Sequence, residues 1–183
     1  MAKEKNEKRS YHWTDITAEN IIGSVEGVGF KTAMKTLDRG RLHLAAVCAG
    51  FAERIIETTL AYAIERKQFG QPIAEFQLVQ AMLADSKAEA YAARCMTLDA
   101  ARCRDRGDDV VTQAACCKMF ASEMVGRVVD RAVQVHGGNG YIADYGIERM
   151  YRDARLFRIY EGTTQIQQLV IARNMIREMR DTM

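Results

Sequence analysis

The sequence predicts an all-α fold, an up-and-down four-helix bundle with one additional short helix. Apolar residues recur at helical spacing in four long segments, and Gly and Pro interrupt this pattern mainly between the segments. No stretch alternates apolar and polar residues as a half-buried strand would. The short connections and heptad-like spacing favour antiparallel neighbours with shallow crossing angles. With 183 residues, 48% hydrophobic and 27% charged, the chain suffices for one domain with a single core.

The first long helix is predicted from about Phe30 to Lys67. Its apolar face recurs at steps of three, four or seven residues, at Leu37, Leu44, Cys48, Phe51, Ile55 and Tyr62. Gly70 and the single proline, Pro72, end this segment because neither continues a helix readily.

The second helix is predicted from about Ala74 to Arg106 and the third from about Val110 to Val135, with Gly107-Asp108-Asp109 as the turn between them. Small residues dominate the seam of the second helix, which is Phe76, Val79, Leu83, Ser86, Ala90, Ala93, Thr97 and Ala100. They predict close contact with a neighbouring helix. The stripe of the third helix is Ala114, Cys117, Ala121, Met124, Val128, Ala132 and Val135. A short helix at about Tyr145 to Asp153 and a last one from Thr163 to Met179 complete the set.

Composition excludes several classes of protein. A net charge of +2 argues against a nucleic-acid partner, and the longest apolar run, Leu44 to Ala52, is too short to span a bilayer. Residues 1–17 mix charges of both signs without an apolar core, so we expect a disordered tail and no targeting peptide. The chain is therefore expected in the cytoplasm, or in the mitochondrial matrix of a eukaryote.

Cysteine and histidine usage narrows the class further. The five cysteines, at positions 48, 95, 103, 116 and 117, are odd in number and lie within helical patterns. This distribution is typical of buried free thiols in a reducing compartment. The three histidines are scattered, so no metal site is expected.

The candidate chemistry is concentrated in Arg149 to Gln167, RMYRDARLFRIYEGTTQIQ, and above all in Glu161. This carboxylate follows one predicted helix and precedes another, on a turn where Gly162 permits unusual backbone angles and Thr163 or Thr164 caps the next helix. A carboxylate held in this way has two interpretations. It is either a general base or a charge that complements the dipole of the following helix.

Three further motifs precede Tyr160-Glu161-Gly162-Thr163, namely ERKQFG at residues 65–70, EFQ at 75–77 and QVHGGNGY at 134–141. Together the four motifs resemble the carboxy-terminal helical domain of the acyl-CoA dehydrogenases, flavoenzymes that desaturate acyl-CoA thioesters. The resemblance covers roughly Ala18 to Arg177. Members of the family are about twice as long and also have an amino-terminal helical domain and a central β domain. By this resemblance, residues 18–29 are the end of the β domain and residues 30–183 form the helical domain.

The resemblance assigns an activity and a set of roles. Glu161 would remove the α-proton of an acyl-CoA substrate, its backbone N–H would contact the thioester oxygen, and FAD would accept the hydride before passing electrons to an electron-transferring flavoprotein. The implied FAD contacts are Arg66, Gln68, Phe76, Gln77, Gln134, Gly138, Thr163 and Gln165. The implied substrate contacts are Asp38, Arg41, Tyr160 and Gly162. Because the Gln134 to Gly140 loop contacts the FAD of a neighbouring subunit in the family, a homo-oligomer is implied, a dimer or a tetramer.

Several of these residues have structural interpretations that stay open. Arg66 also suits the end of a helix, where a cation stabilises the macrodipole. Phe76 is as well placed to be the first core residue of the second helix. Asp38 and Arg41 are otherwise a solvated pair, Gly-Gly-Asn-Gly an ordinary helix-ending turn, and Thr163 and Gln165 a cap and a solvated residue.

The resemblance also leaves alternatives for the whole chain. Some branches of the family place the catalytic glutamate at the position of Gly40, and because glycine cannot act as a base, Glu161 is the remaining candidate. Without the other domains, the chain is either part of an FAD-dependent dehydrogenase, one half of a split enzyme, or an inactive helical assembly module.

Overall fold

In the computed structural model, the described part of the chain is Gly23, Val25 and residues 27–183, apart from the side chain of Asp38. The predicted disordered tail, residues 1–17, and most of segment 18–29 lie outside it. Residues 36–183 form one compact unit. Of the unit that ends at residue 35, the structure describes the turn at Gly27 and the beginning of the first helix.

All five predicted helices are present, and each boundary lies within three residues of the prediction. They are α1 (Gly29–Glu65), α2 (Gln77–Asp105), α3 (Val111–His136), α4 (Ile147–Leu156) and α5 (Thr164–Thr182). The predicted all-α class is therefore confirmed. No described helix combines the length and the apolar character that crossing a membrane requires.

The connection between α1 and α2 contains a hairpin that the sequence did not predict. The strands β1 (Lys67–Gln68) and β2 (Gln71–Pro72) pair antiparallel around Phe69 and Gly70. Both turn residues have positive φ, 53° and 85°, which is the backbone of a two-residue hairpin turn. Two-residue strands are too short to show an alternating pattern, and Phe-Gly lacks the Asn-Gly or Asp-Gly signature of such turns.

The second helix begins three residues later than predicted. A single turn of 3-10 helix, Ile73–Glu75, precedes it, and Phe76 then takes an extended conformation with φ −86° and ψ 127°. The extended residue interrupts the α-helical path, so α2 starts at Gln77. Ile73 remains tied to the end of α1, because its N–H donates to the Arg66 carbonyl at 2.8 Å.

Helix α3 is the centre of the bundle and packs against α2, α4 and α5. Every residue of its predicted stripe is buried, and fourteen of its residues are buried in all. The core also contains Leu44, Cys48 and Ile55 of α1. The buried alanines of α2 confirm the close helix contact that its small residues predicted. The expectation of buried thiols holds for Cys48 and Cys117 but is wrong for Cys95, which is exposed on α2.

Candidate functional site

The turn between α4 and α5 has an unusual backbone. Glu161 has φ 57° and Gly162 has φ 84°, so two successive residues are left-handed. Gly adopts this conformation freely, but for a non-glycine residue it costs about 1–2 kcal/mol, which the surrounding structure must offset. Thr163 caps α5 as expected, because its Oγ1 accepts a hydrogen bond from the N–H of Ile166 at 3.4 Å. The conformation that presents Glu161 is therefore strained and held from outside the turn.

The Glu161 carboxylate lies against α1 at Gly40. A Cβ atom at position 40 would overlap Oε2 of Glu161 and stand 2.9 Å from its Cδ, so only glycine leaves room for this contact. Oε2 is buried and accepts no hydrogen bond within the described part of the chain. The N–H of Glu161 likewise donates to none of the described residues. A carboxylate with a buried, unused oxygen is able to accept a proton from a bound molecule.

Two fully buried side chains support the turn from below. The carbonyl of Gly162 accepts hydrogen bonds from Nζ of Lys118 at 2.6 Å and from Nε2 of Gln167 at 3.1 Å. The same Nε2 donates to the Glu161 carbonyl at 3.0 Å. Neither residue was predicted from the sequence. Lys118 was detectable in principle, because it lies one turn after Ala114 on the apolar face of α3, where a charged residue is out of place.

Burial lowers the pKa of the Lys118 ammonium from its ordinary value. The nearby groups of Cys48, Glu123 and Glu161 oppose this shift, while Arg41 adds to it. Burial in turn raises the pKa of the Cys48 thiol to about 12, and the charge of Lys118 limits the rise. The thiol therefore stays protonated, and Lys118 is the basic group in contact with the turn.

Helix α3 also holds the two ends of the turn through Glu123. Thr164 Oγ1 donates to Glu123 Oε1 at 2.7 Å, and Arg158 Nε lies 3.3 Å from Glu123 Oε2. The Arg158 guanidinium passes directly over Gly126, where any Cβ would collide with it. The backbone closes the same loop, because the N–H of Thr164 donates to the Arg158 carbonyl at 3.2 Å. One helix thus fixes the start, the middle and the end of the turn.

Three predicted substrate residues flank this site, and the side chain of a fourth lies outside the described part of the chain. Arg41 is buried at 7% exposure, so its interpretation as a solvated surface residue is wrong. Tyr160 is 40% exposed beside the carboxylate, and the pKa of its phenol is raised, first by burial and further by the neighbouring Glu161 carboxylate. Gly162 supplies the carbonyl held by Lys118. The side chain of Asp38 lies outside the described part of the chain.

A second group of predicted residues lies at the far end of α1. Arg66, Gln68 and Gly138 line one open cleft of about 270 Å³, together with Tyr62, Ile73, Val135, His136, Gly137 and Asn139. The Tyr62 ring stacks on His136 at a centroid distance of 4.1 Å. Burial lowers the pKa of His136, against the opposing effect of its hydrogen bond to the Ala132 carbonyl. The imidazole is thus held neutral beneath the cleft.

The remaining predicted cofactor residues do not line this cleft. Phe76 is half-buried and lies outside the core cluster, with its ring 6.1 Å from the exposed Phe69 ring in a T-shaped pair. Gln77, Gln134 and Gln165 are exposed. From Arg41 to Arg66 the chain follows α1 for 25 residues, so the carboxylate site and the cleft are about 37 Å apart along the helix.

Fold and site define an all-α bundle domain that presents a carboxylate with one buried oxygen on a strained interhelical turn. The family model for "Acyl-CoA dehydrogenase, C-terminal domain" matches residues 27–176. The chain therefore belongs to the acyl-CoA dehydrogenase family, and the resemblance seen in its motifs is confirmed. The described helices correspond to the C-terminal domain of that family.

Relatives with known names agree with this membership. The chain is 48% identical over 162 residues to the probable acyl-CoA dehydrogenase YngJ of Bacillus subtilis, covering 88% of this chain and 42% of that protein. It is 44% identical over 163 residues to the caffeyl-CoA reductase-Etf complex subunit CarC of Acetobacterium woodii, covering 89% and 43%. A solved structure of an acyl-CoA dehydrogenase complexed with FAD from Bacillus anthracis superposes with a TM-score of 0.80 at 35% identity, covering 85% and 30%. The chain thus spans less than half the length of these relatives.

Proposed function

We propose that the chain is the C-terminal helical domain of an FAD-dependent acyl-CoA dehydrogenase in which Glu161 is the base that removes the α-proton. The observation that carries this proposal is the buried Oε2 of Glu161, which has no hydrogen-bond partner in the described part of the chain and lies against Gly40. The α-proton of an acyl thioester is only weakly acidic, so the base must stand over it in a site shielded from water. The strained backbone of Glu161 directs its carboxylate onto α1, where Oε2 is buried.

The remaining groups of the turn fit the same reaction. The N–H of Glu161, which donates to no described residue, is available to the thioester oxygen and would stabilise the enolate-like transition state. Tyr160, beside the carboxylate, and Arg41, which follows Gly40 in α1, would contact the substrate. By microscopic reversibility, the protonated carboxyl would return a proton to the α-carbon in a reductive reaction. The same arrangement therefore serves both the desaturation of an acyl-CoA and the reverse, reductive reaction.

The cleft at the end of α1 fits the pyrophosphate part of FAD. The Arg66 guanidinium forms no ion pair within the described residues, and it offers paired donors that match phosphate geometry. Gly138 leaves bare backbone for a large ligand to approach. Gln68 lines the same cleft, and Phe76, Gln77 and Gln134 are proposed as further contacts around it. Bound FAD would supply the hydride acceptor that no side chain provides.

We propose that two different FAD molecules contact each copy of the chain, so that the active form is a homo-oligomer, a dimer or a tetramer. The support is the distance of about 37 Å along α1 between the cleft and the turn where Thr163 and Gln165 would contact the flavin. The turn would then contact the FAD of its own subunit, and the cleft the FAD of a neighbour. Helix α5 adds a face suited to assembly, with Ile166, Leu169, Ile176 and Met179 all more than 40% exposed.

An electron-transferring flavoprotein is the proposed redox partner. The support is the relationship to a subunit of a caffeyl-CoA reductase-Etf complex. All five cysteines are free thiols, which is typical of a reducing compartment. We therefore place the reaction in the cytoplasm, or in the matrix of a mitochondrion.

The test is Glu161→Gln in the complete enzyme, with the remaining domains supplied in the same chain or by a partner chain. Glutamine keeps the shape of the side chain but accepts no proton, so acyl-CoA should bleach the flavin about a hundredfold to ten-thousandfold more slowly. FAD content and acyl-CoA binding should stay the same. The exposed Glu57 on α1, changed to Gln, is the matched control and should bleach normally.

Normal bleaching by the Glu161→Gln variant would exclude Glu161 as the base. The spectrum of the chain expressed alone addresses the alternatives for the whole chain. Little bound flavin alone, but yellow protein once the missing domains are supplied, would support a split or multidomain enzyme. No flavin and no bleaching in any combination would instead identify a helical assembly module.

A further inference from the structure

Lys118 is the largest fully buried side chain in the described part of the chain, with an exposed fraction of 0%. Lysine is almost never buried without a partner, because removing an ammonium from water is unfavourable. The hydrogen-bond acceptor of this ammonium is a neutral backbone carbonyl, that of Gly162, at 2.6 Å. This internal lysine thus holds one backbone oxygen, that of the residue directly after the one that carries the carboxylate.

Gln167 is a second buried polar side chain that holds the backbone of this turn. Its Nε2 donates to the carbonyls of both Glu161 and Gly162, while its Oε1 is buried without a hydrogen-bond partner among the described residues. A flipped amide would direct Oε1 at two carbonyl oxygens, so the observed orientation is the favourable one. Leaving a buried acceptor such as Oε1 without a hydrogen bond costs about 1–3 kcal/mol. The two hydrogen bonds that Nε2 donates must offset this cost, so they fix the orientation of the amide.

We propose that Lys118 is a positioning residue for the proton-transfer step. Together with Gln167 it holds the carbonyl of Gly162 and thereby positions the carboxylate of Glu161. The inference rests on the proposed function, because it assigns Lys118 a role through Glu161. Two donors on the Gly162 carbonyl fix the peptide between Gly162 and Thr163, and Gln167 also holds the Glu161 carbonyl. Both sides of Gly162 are thus fixed, which keeps the preceding Glu161 left-handed, at φ 57°. That backbone angle directs the carboxylate onto Gly40.

The effect on catalysis follows from the geometry. Without Lys118 the Gly162 carbonyl keeps only the 3.1 Å bond to Gln167, and the left-handed turn loses its shortest hydrogen bond. The carboxylate then moves away from Gly40, while Arg41 and Tyr160 still bind the substrate. A displacement of about 1 Å at a reacting group reduces a rate by on the order of a hundredfold. The rate of proton removal should therefore fall far more than the affinity for acyl-CoA.

The first experiment uses the chain alone and needs no activity. Lys118→Met removes the donor with little change in volume, and amide hydrogen exchange reports on the turn through the N–H groups of Tyr160 and Thr164. Exchange at these amides should become at least about tenfold faster. Thr97→Val, which removes a buried hydroxyl on α2 bonded to the Ala93 carbonyl, is the control and should leave the turn unchanged. Equal protection in the Lys118→Met variant and the parent chain would overturn the proposal.

The second experiment uses the complete enzyme and separates rate from binding. In Lys118→Met, flavin reduction by acyl-CoA should slow about tenfold to a hundredfold, with the dissociation constant for acyl-CoA changed less than about twofold. In the Glu161→Gln background the same change should slow the reaction little further, because the two residues act as a unit. A normal rate in Lys118→Met, or an equal loss of affinity and rate, would overturn the positioning role.

Two further results keep the test decisive. If Lys118→Met does not fold, Gln167→Met removes the other donor to Gly162 and must show the same loosened turn and the same slowed reduction. A Gln167→Met variant that does neither overturns the proposal. Failure of the proposed function has its own signature, because Glu161→Gln would then reduce flavin normally whatever the exchange rates of the turn.

Discussion

The contact between Glu161 and Gly40 can be tested by one methyl group. In Gly40→Ala the new Cβ overlaps Oε2 and stands 2.9 Å from Cδ, whereas ordinary contacts begin at 3.4 Å. The carboxyl group must move away by at least that difference. Its backbone has little freedom to follow, because the next carbonyl is held by Lys118 and Gln167. We therefore expect a steric penalty of about 1–3 kcal/mol in the free energy of unfolding, as for an overpacked core.

A second effect has the opposite sign. Replacing Gly by Ala inside a helix favours folding by roughly 0.5–1 kcal/mol, whatever the surroundings. Gly50 provides the matched control, because it is exposed on the same helix and a Cβ there meets nothing within 4 Å. Gly50→Ala should therefore stabilise the chain. Gly40→Ala should be less stable than Gly50→Ala by about 1–3 kcal/mol, which isolates the steric term.

Urea unfolding of the chain alone, followed by circular dichroism, measures both variants. Glu161→Ala removes the side chain that position 40 would strike, so Gly40→Ala should become stabilising in that background. The double-mutant cycle then gives the coupling between the two positions directly. Equal stability of the Gly40→Ala and Gly50→Ala variants, or no coupling to Glu161, would refute the contact and with it the placement of the carboxylate.

Two other predictions address the cleft at the end of α1. Arg66→Lys keeps the charge but loses the paired donors, so titration of the complete apoprotein should show an FAD affinity about tenfold lower. An unchanged affinity would leave Arg66 with a role at the helix end only. Burial lowers the pKa of His136 below 6.5, the value in an unfolded chain. Just below pH 6.5 the unfolded state therefore binds more protons than the folded state, so the free energy of unfolding decreases as the pH falls below 6.5. Urea unfolding at about pH 7.5 and pH 5 measures this loss of stability, which should be smaller in His136→Phe. His43→Gln, at an exposed position, is the control and should lose as much stability as the parent chain. An unchanged loss in His136→Phe would contradict the role given to His136.

The sequence alone determined the helices and their buried faces. Apolar periodicity is a property of neighbouring residues, and the stripe from Ala114 to Val135 is buried at every predicted position. The ordered motifs also identified the family. Local pattern was insufficient at the hairpin of β1 and β2, because pairing of two-residue strands depends on the turn and on the bond from Ile73 to Arg66.

Only the tertiary structure decided what surrounds the carboxylate. The sequence placed Glu161 on a turn and left two interpretations open, a base or a complement to the helix dipole. The fold directs its side chain onto Gly40 of α1 and places Lys118 of α3 and Gln167 of α5 beneath it. These residues are far apart along the chain, so no periodicity relates them. Their contacts arise from helix packing, which brings three helices to one point and sets which buried polar groups must bond there.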